Sequence, residues 1–332
     1  MLLSEDIILP SVLEDGPLKL CAKRYSPAHV PERKQRVALI FLPNIGAHCE
    51  TWQTSIERLF QIQHVCKRRT KVVVSEAWAL EYPDHGRAVI LNEHALVAPN
   101  AKPDAHWFAR AISRFMNSGL VNVDAIISVG YSDSTSVIIS ATKGMDLKNL
   151  PMLILVEPLL ITPDAQARFR QGGPNSPLQT TIKRQCYIWP SREDARHWMS
   201  RQSPWKDWEP QVLAHFVEFA LRDLPTATYP DTSNGVTPCW TQQKEVISYA
   251  LDSTDRITEL CGVLPVHCIF GAKNDFAAES QQALIDLRCG RRMASITRIP
   301  GAGHLVVQEQ PFKLAERIFA ILNPEDYNVC KL

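Results

Sequence analysis

One serine in this chain stands in a sequence context that is typical of a catalytic nucleophile. Ser132 lies in the segment Gly130-Tyr131-Ser132-Asp133-Ser134, which directly follows an apolar run and opens a helical pattern. In the nucleophile elbow G-x-S-x-G, a serine occupies a sharp strand-to-helix turn that small neighbours allow the chain to make. Gly130 meets that need, and Ser134 is slightly larger than the usual glycine. The helix start also favours negative charge on a reacting oxygen, so we predict that Ser132 is a nucleophile.

A serine hydroxyl needs a base to take its proton, and one of the ten histidines is well placed for that role. His304 follows the small residues 301–303 and lies between a short run, residues 295–299, and a final helical pattern. The small residues let this loop fold back over the elbow. His85 is the main competitor, but it lies in a turn before the nucleophile, where we expect it to brace the loop.

The acid that orients the histidine has two candidates. Glu157 ends the apolar run that follows the elbow, and Asp275 comes after a later run. In a triad built on a parallel sheet, this second acid usually stands three residues after the glycine that ends its strand. Three residues after Gly271 stands Asn274, which carries no charge, and Asp275 is displaced by one position. We favour Glu157 and keep Asp275 as the alternative.

Two backbone N–H groups are expected to form an oxyanion hole, which stabilises the negative oxygen of a tetrahedral intermediate. One belongs to Asp133, the residue after the nucleophile. The other should come from the loop after the first apolar run, residues 43–46, where Ile45 is our choice. Pro43 has no N–H of its own and can only stiffen this loop.

These residues need a scaffold that brings their loops together, and the hydrophobic pattern predicts one. Five runs without polar alternation are typical of strands that are covered on both faces. Helical patterns lie between and after them, and strand alternating with helix predicts an α/β fold with a mostly parallel, doubly wound sheet. The predicted strands are residues 37–42, 71–74, 125–129, 152–156 and 266–270, and the predicted helices are residues 51–60, 106–117, 134–143, 281–289 and 311–322.

Residues 161–250 interrupt this rhythm. We predict that they form a helical cap inserted into an α/β core made of residues 1–160 and 251–332. Residues 210–222 have the spacing of an amphipathic helix, and the segment contains five of the eight tryptophans. Caps of this kind shape apolar pockets, although some of the rings are expected only to hold the cap together.

Three residues are predicted to contact a substrate. Tyr131 stands next to the nucleophile, Asn44 lies in the oxyanion loop, and Trp189 lies in the cap. Asn44 has an alternative role, a hydrogen bond within its own turn.

Composition excludes several classes of function. A net charge of +1 gives no sign of a nucleic-acid or anionic-membrane partner. Nine cysteines without Cys-x-x-Cys spacing favour neither a disulfide framework nor a zinc site, and no metal or redox cofactor is expected. No apolar stretch approaches the length of about 18 residues that a membrane span needs, and the first residues lack the pattern of a secretory signal. The sequence therefore predicts a soluble intracellular protein.

Taken together, the residues of the elbow, the acid strand and the cap resemble the α/β-hydrolase superfamily. More narrowly, they resemble its fungal peroxisomal branch, which includes hydrolases of toxin pathways and the acyl-CoA hydrolase of mycophenolic acid biosynthesis. The resemblance covers roughly residues 35–322 and rests on residues 46–52, 82–92, 155–158, 189–193, 220–226 and 236–246. The branch carries its acid on the strand after the elbow, which implies Glu157. The elbow departs from the branch at Tyr131 and Ser134, where histidine and glycine are usual, and Pro43 replaces a histidine.

The resemblance implies a serine hydrolase that cleaves an ester or thioester of a hydrophobic acyl or polyketide chain, with acyl-CoA as the expected substrate, in fungal secondary metabolism. Ser132 would attack the carbonyl, His304 would carry the proton and Glu157 would hold the imidazole. The alternatives are a carboxylic esterase or lactonase that does not use CoA, and a non-hydrolytic binding or cyclase protein on the same fold. Basic candidates for a CoA phosphate contact are Lys183, Arg184, Arg192, Arg196 and Arg201.

The tripeptide Cys330-Lys331-Leu332 differs from the peroxisomal address Ser-Lys-Leu by one atom, sulfur in place of oxygen. A polar segment, residues 323–327, precedes it and would leave it accessible. We therefore expect a peroxisomal import receptor as a partner and a peroxisomal location.

Overall fold

Eight strands pair edge to edge in the order β1-β2-β4-β3-β5-β6-β9-β10, and two more form a separate hairpin, β7-β8. The structure is a computed structural model that describes residues 2–11, 16–29, 34–66, 70, 72–96, 104–163, 188–239 and 251–327. The strands are β1 (Leu2–Leu9), β2 (Leu20–Pro27), β3 (Gln35–Phe41), β4 (Val72–Glu81), β5 (Ala125–Tyr131), β6 (Leu153–Val156), β7 (Leu221–Asp223), β8 (Val236–Pro238), β9 (Val266–Gly271) and β10 (Ser295–Ile299).

Helices cover both faces of the large sheet. They are α1 (Gln53–Cys66), α2 (Gly86–Leu91), α3 (Glu93–Leu96), α4 (Ala105–Asn117), α5 (Ser134–Ala141), α6 (Arg192–Met199), α7 (Pro210–Phe219), α8 (Thr254–Val263), α9 (Ala278–Leu284), α10 (Val306–Glu309), α11 (Pro311–Leu322) and α12 (Pro324–Tyr327). In the described part of the chain, no helix is both long enough and apolar enough to cross a membrane.

The predicted doubly wound, mostly parallel sheet is confirmed. Strands β4, β3, β5, β6, β9 and β10 are consecutive in the sheet and run parallel to one another. Successive residues of β3 explain why no polar alternation is present: Ile40 packs under α4 and α5, whereas Leu39 and Phe41 pack under α1 and α11. A strand that is covered on both faces must be apolar at every position.

The antiparallel edge of this sheet was not predicted from the sequence. Strand β1 pairs antiparallel with β2, and β2 pairs antiparallel with β4. Most side chains of β1 are exposed or half-buried, so the strand lacks the continuous apolar signal of the centre. Strand β4 is also longer than predicted and continues to Glu81, because its second half is buried between β2 and β3.

The insertion after β6 contains helices and a small hairpin. Within its described part, residues 188–239, helices α6 and α7 pack with the hairpin β7-β8, which the prediction of a purely helical cap did not include. Its tryptophans lie in a row, with ring centroids 5.7 Å apart for Trp189 and Trp198 and 5.6 Å apart for Trp198 and Trp205. These rings therefore supply much of the apolar interior of the insertion.

The parallel strands position the predicted site, because their carboxyl ends meet at one edge of the sheet. Strand β5 ends at Tyr131, β6 ends at Val156 and β9 ends at Gly271. In open α/β sheets, functional side chains gather in the loops that leave this edge.

Two isoleucines provide a matched test of this core. Ile40 is 0% exposed in central β3, whereas Ile296 is 48% exposed in edge strand β10. We expect Ile40→Ala to lower the free energy of unfolding by about 2–5 kcal/mol, since it leaves a cavity between packed layers. Ile296→Ala should cost about 1 kcal/mol or less. Urea unfolding followed by circular dichroism measures both, and equal losses would contradict this arrangement of the core.

Candidate active site

Ser132 lies on a sharp turn between β5 and α5, as the elbow motif predicts. Its φ angle is +56°, in the left-handed region that non-glycine residues rarely adopt. The turn is fixed by the Ser132 N–H, which donates to the carbonyl oxygen of Val156 at 2.9 Å. A Cβ atom at Gly130 would lie 3.0 Å from Ile138 Cγ2 and 3.1 Å from Thr135 Cα, so a larger residue here would force its neighbours to shift. Backbone strain of this kind persists where the surroundings enforce it, often at functional sites.

Ser134 occupies the position where the motif usually has glycine, and its hydroxyl is used within the turn. The backbone N–H of Tyr131 donates to Ser134 Oγ at 2.9 Å. The same hydroxyl donates back to the carbonyl oxygen of Tyr131 at 2.9 Å. The elbow therefore accommodates the larger residue by bonding it locally.

His304 reaches the serine from the loop between β10 and α10. Its Nε2 lies 2.8 Å from Ser132 Oγ. The loop is held from below by the Tyr131 hydroxyl, which lies 3.0 Å from the His304 carbonyl oxygen and 3.0 Å from Gln308 Oε1. The ring of Phe276 covers the imidazole at a centroid distance of 4.2 Å. These contacts fix the position of the ring beside the hydroxyl.

Glu157 is the carboxylate that meets the imidazole. Its Oε2 lies 2.9 Å from His304 Nδ1. The buried carboxylate also accepts hydrogen bonds from the backbone N–H of Gly271 and from the side-chain amide of Gln281. A buried carboxylate requires such partners, because its transfer out of water without hydrogen bonds costs free energy. The Gln281 contact was missed by the sequence analysis, since nothing in a helical pattern marks which residue faces the acid.

Asp275, the alternative acid, contacts the backbone of His304 and not its ring. The His304 N–H donates to Asp275 Oδ1 at 2.9 Å. A side chain at Gly303 would collide with the Asp275 carboxylate, which explains the small residue before the histidine. The two carboxylates therefore differ in position: Glu157 lies on the imidazole, and Asp275 clamps the loop that carries it.

The two predicted oxyanion donors lie beside the elbow, but the N–H of Ile45 has a partner. It donates to Oδ1 of the Asp133 side chain at 3.0 Å. The hydroxyl of Tyr82 donates to the other oxygen of the same carboxylate. Tyr82 lies directly after β4, in a segment that the sequence analysis noted only for its resemblance to the hydrolase branch.

Tyr131 and Trp189 are not where the prediction of substrate contacts requires them. Tyr131 is 0% exposed and its hydroxyl is committed to the His304 loop. Trp189 is 4% exposed and packs in the interior of the insertion. Both rings contribute to packing and not to an open surface. Asn44 is half-buried in the oxyanion loop, and its Oδ1 is buried without a hydrogen-bond partner, so it remains a predicted contact.

The insertion is tied to the histidine loop. The backbone N–H of Glu209, just before α7, donates to the carbonyl oxygen of Gln308 at 2.8 Å. The side-chain oxygen of Gln308 also accepts a hydrogen bond from the Tyr131 hydroxyl. At the other end of α7, the ring of Phe219 lies 4.8 Å from Lys23 Nζ, which also pairs with Glu50. Movement of the insertion would therefore disturb the loop that positions His304.

The sequence matches no model of a known protein family. It is 22% identical over 225 residues to a type I acyl-CoA thioesterase of Penicillium roqueforti, a match that covers 67% of this chain and 48% of that protein. The chain thus spans about half the length of this curated relative.

Solved structures show the same architecture. A peroxisomal α/β-hydrolase of Saccharomyces cerevisiae, Lpx1, aligns with a TM-score of 0.73 at 17% identity, over 99% of this chain and 89% of that chain. A thioesterase domain from the curacin biosynthetic pathway aligns with a TM-score of 0.63 at 14% identity, over 96% and 99% of the two chains. A Mycobacterium tuberculosis esterase aligns with a TM-score of 0.58 at 15% identity, over 96% and 92%.

The geometry of the two carboxylates yields a direct prediction. Glu157→Gln should slow labelling of Ser132 by a fluorophosphonate at least about 100-fold, because the imidazole loses its anionic partner. Asp275→Asn should slow it less than about 10-fold, since the new amide oxygen still accepts the His304 N–H. Intact-mass spectrometry over time gives both rates, with circular dichroism as the folding control. A larger loss for Asp275→Asn would assign the acid role to Asp275 instead.

Proposed function

We propose that this chain, which has the α/β-hydrolase fold, is a serine hydrolase that cleaves an ester or thioester through an acyl-enzyme. The observation that carries the proposal is one continuous set of contacts: Ser132 Oγ to His304 Nε2 at 2.8 Å, and His304 Nδ1 to Glu157 Oε2 at 2.9 Å. Nucleophile, base and acid are therefore within hydrogen-bond reach of one another, which is the arrangement that activates a serine hydroxyl.

The proposed reaction has two halves. Ser132 Oγ attacks the carbonyl carbon while its proton passes to His304 Nε2, and Glu157 stabilises the positive imidazolium. The oxyanion would be held by the N–H groups of Ile45 and Asp133, each worth about 3 kcal/mol in the transition state. His304 then returns the proton to the leaving oxygen or sulfur, and the acyl group stays on the serine. Water attacks this acyl-enzyme by the same route and releases the acid.

The proposed substrate is an ester or thioester of a hydrophobic acyl or polyketide chain, with acyl-CoA favoured. Similarity to an acyl-CoA thioesterase supports the thioester, and a hydrophobic acyl group is what the sequence resemblance implies. Fungal secondary metabolism is proposed as the setting on the same similarity. Two basic candidates for the CoA phosphate already have acidic neighbours, since Arg192 bonds Asp223 and Arg196 lies 3.7 Å from Glu193. Lys183 and Arg184 lie outside the described residues.

One observation favours a different function, binding or cyclisation without an acyl-enzyme. The N–H of Ile45 already donates to the Asp133 carboxylate, so a second oxyanion donor is not open in this arrangement. On the same fold, such a protein would hold its ligand without attack by Ser132. Failure of Ser132 to react with an acylating or phosphonylating reagent would favour this alternative.

The proposal predicts a single reactive serine. A fluorophosphonate should add once to the wild-type chain, and peptide mapping should place the adduct on Ser132, because its hydroxyl lies beside an imidazole that a buried carboxylate orients. Ser132→Ala should take no label. A folded wild-type protein that takes no label, or that is labelled at another residue, would contradict the hydrolase proposal.

A second experiment distinguishes an acyl-CoA hydrolase from an enzyme that prefers simple esters. We expect medium- or long-chain acyl-CoA to be hydrolysed with a kcat/KM at least about 10-fold above that of a p-nitrophenyl ester of the same acyl chain, because binding energy from the CoA part is used in the transition state. Release of free thiol and of p-nitrophenol gives the two rates, and Ser132→Ala corrects for background. The opposite preference would favour the carboxylic esterase or lactonase.

A peroxisomal location is part of the proposal. It is supported by the resemblance of Cys330-Lys331-Leu332 to the Ser-Lys-Leu address and by likeness to a yeast hydrolase that is named as peroxisomal. The tripeptide lies outside the described residues, so binding of the import receptor stays a prediction from the sequence.

A further inference from the structure

The side chain of Asp133 contacts one of the two N–H groups that are predicted to form the oxyanion hole. Its Oδ1 accepts the Ile45 N–H at 3.0 Å. The backbone N–H of Asp133 itself also stabilises the ionised form of this carboxylate. An oxyanion hole is a pair of N–H groups directed at one negative oxygen, and here a carboxylate of the protein accepts a hydrogen bond from one of the two predicted donors.

A buried tyrosine, Tyr82, holds the other oxygen of the Asp133 carboxylate. Tyr82 is 0% exposed, and its hydroxyl donates to Asp133 Oδ2. Its ring packs against Phe108 at a centroid distance of 4.6 Å and against His85 at 5.3 Å. Burial raises the pKa of the Tyr82 phenol well above its usual value, so Tyr82 remains a hydrogen-bond donor. The contact between Asp133 and Ile45 is thus held by a fixed donor from the core.

We infer that the Asp133 side chain is an internal anion that occupies the predicted oxyanion hole, and that a substrate carbonyl must displace it from the Ile45 N–H before acyl transfer. The inference rests on the proposed hydrolase function. The side chain of Asp133, unlike its backbone N–H, then acts on the reaction indirectly, through the N–H of Ile45 and through its charge. Two effects slow the reaction: one donor is occupied, and a negative charge lies next to the oxygen on which negative charge develops.

The charge on Asp133 makes this effect depend on pH. Burial raises the pKa of the Asp133 carboxyl to about 6, although the Tyr82 hydroxyl, the N–H groups of Ile45 and Asp133, and nearby His85 all favour the ionised form. The other titratable groups around it are Tyr131, which burial keeps protonated, and His304 across the nucleophile. Above about pH 6 the carboxylate is ionised and obstructs the hole. Below that pH the neutral acid holds the Ile45 N–H less strongly and adds no repulsion.

Two substitutions at one position test the inference. Asp133→Asn keeps the size and an acceptor oxygen but removes the charge, and Asp133→Ala removes the side-chain acceptor entirely. The measurement is the rate of fluorophosphonate labelling of Ser132, and of p-nitrophenyl ester hydrolysis, from pH 5 to 8.5. We use the ratio of variant to wild type at each pH, because pH effects that do not involve position 133 are common to both proteins.

The ratio should be near 1 at pH 5 and rise through about pH 6 to a plateau of about 10-fold or more, with Asp133→Ala at least as high as Asp133→Asn. In a Tyr82→Phe background the midpoint should move to higher pH, because the carboxylate loses a donor that favours ionisation. A purely structural role for Asp133 would give a ratio at or below 1 without a midpoint.

The outcomes separate this inference from the function on which it rests. Wild-type labelling at Ser132, with both folded Asp133 variants reacting no faster at pH 8, would overturn the inference and leave the hydrolase proposal intact. Absence of labelling in wild type and in both folded variants would overturn the hydrolase proposal and the inference with it. Circular dichroism and the urea midpoint verify folding of each variant.

Discussion

The site depends on one imidazole ring that must make two hydrogen bonds at the same time. His304 meets Ser132 with Nε2 and Glu157 with Nδ1, so three separate loops have to converge within a few ångströms. A parallel sheet achieves this because its strands end at one edge, and β5 and β6 are direct neighbours there. Glu157 can remain buried beside the ring because Gly271 and Gln281 satisfy its oxygens. The packing of the sheet thus determines how the predicted nucleophile, base and acid are placed relative to one another.

Backbone strain is concentrated around the same ring. Three non-glycine residues in the described part of the chain have positive φ angles: Ser132 at +56°, Glu157 at +48° and Ala277 at +45°. The first two carry the predicted nucleophile and acid, and the third follows the loop in which Phe276 covers the imidazole. Left-handed conformations are unfavourable for such residues and persist only where the surroundings fix them. The strain therefore marks, independently of the motif, the loops that assemble the site.

Much of this site follows from local sequence, and the remainder requires the fold. The glycine two residues before Ser132 and the small residues before His304 are visible in the chain because tight turns demand them. Which carboxylate meets the ring is not local, since it depends on how far the loop with Asp275 folds over His304. The hydrogen bond between the Ile45 N–H and the Asp133 side chain joins residues that are distant in sequence, and no sequence pattern predicts it. Tyr131 was misjudged for a similar reason: proximity to the nucleophile in sequence does not say which way a ring points.

The central claim is that Ser132 forms a covalent bond to the substrate's acyl group. Rapid-quench mass spectrometry of the chain mixed with an acyl thioester tests it most directly, because an acyl-enzyme adds the mass of the acyl group before product appears. We expect one transient adduct, mapped to Ser132, that forms with release of the thiol and decays with release of the acid. Turnover without any adduct, or turnover that survives Ser132→Ala, would contradict it.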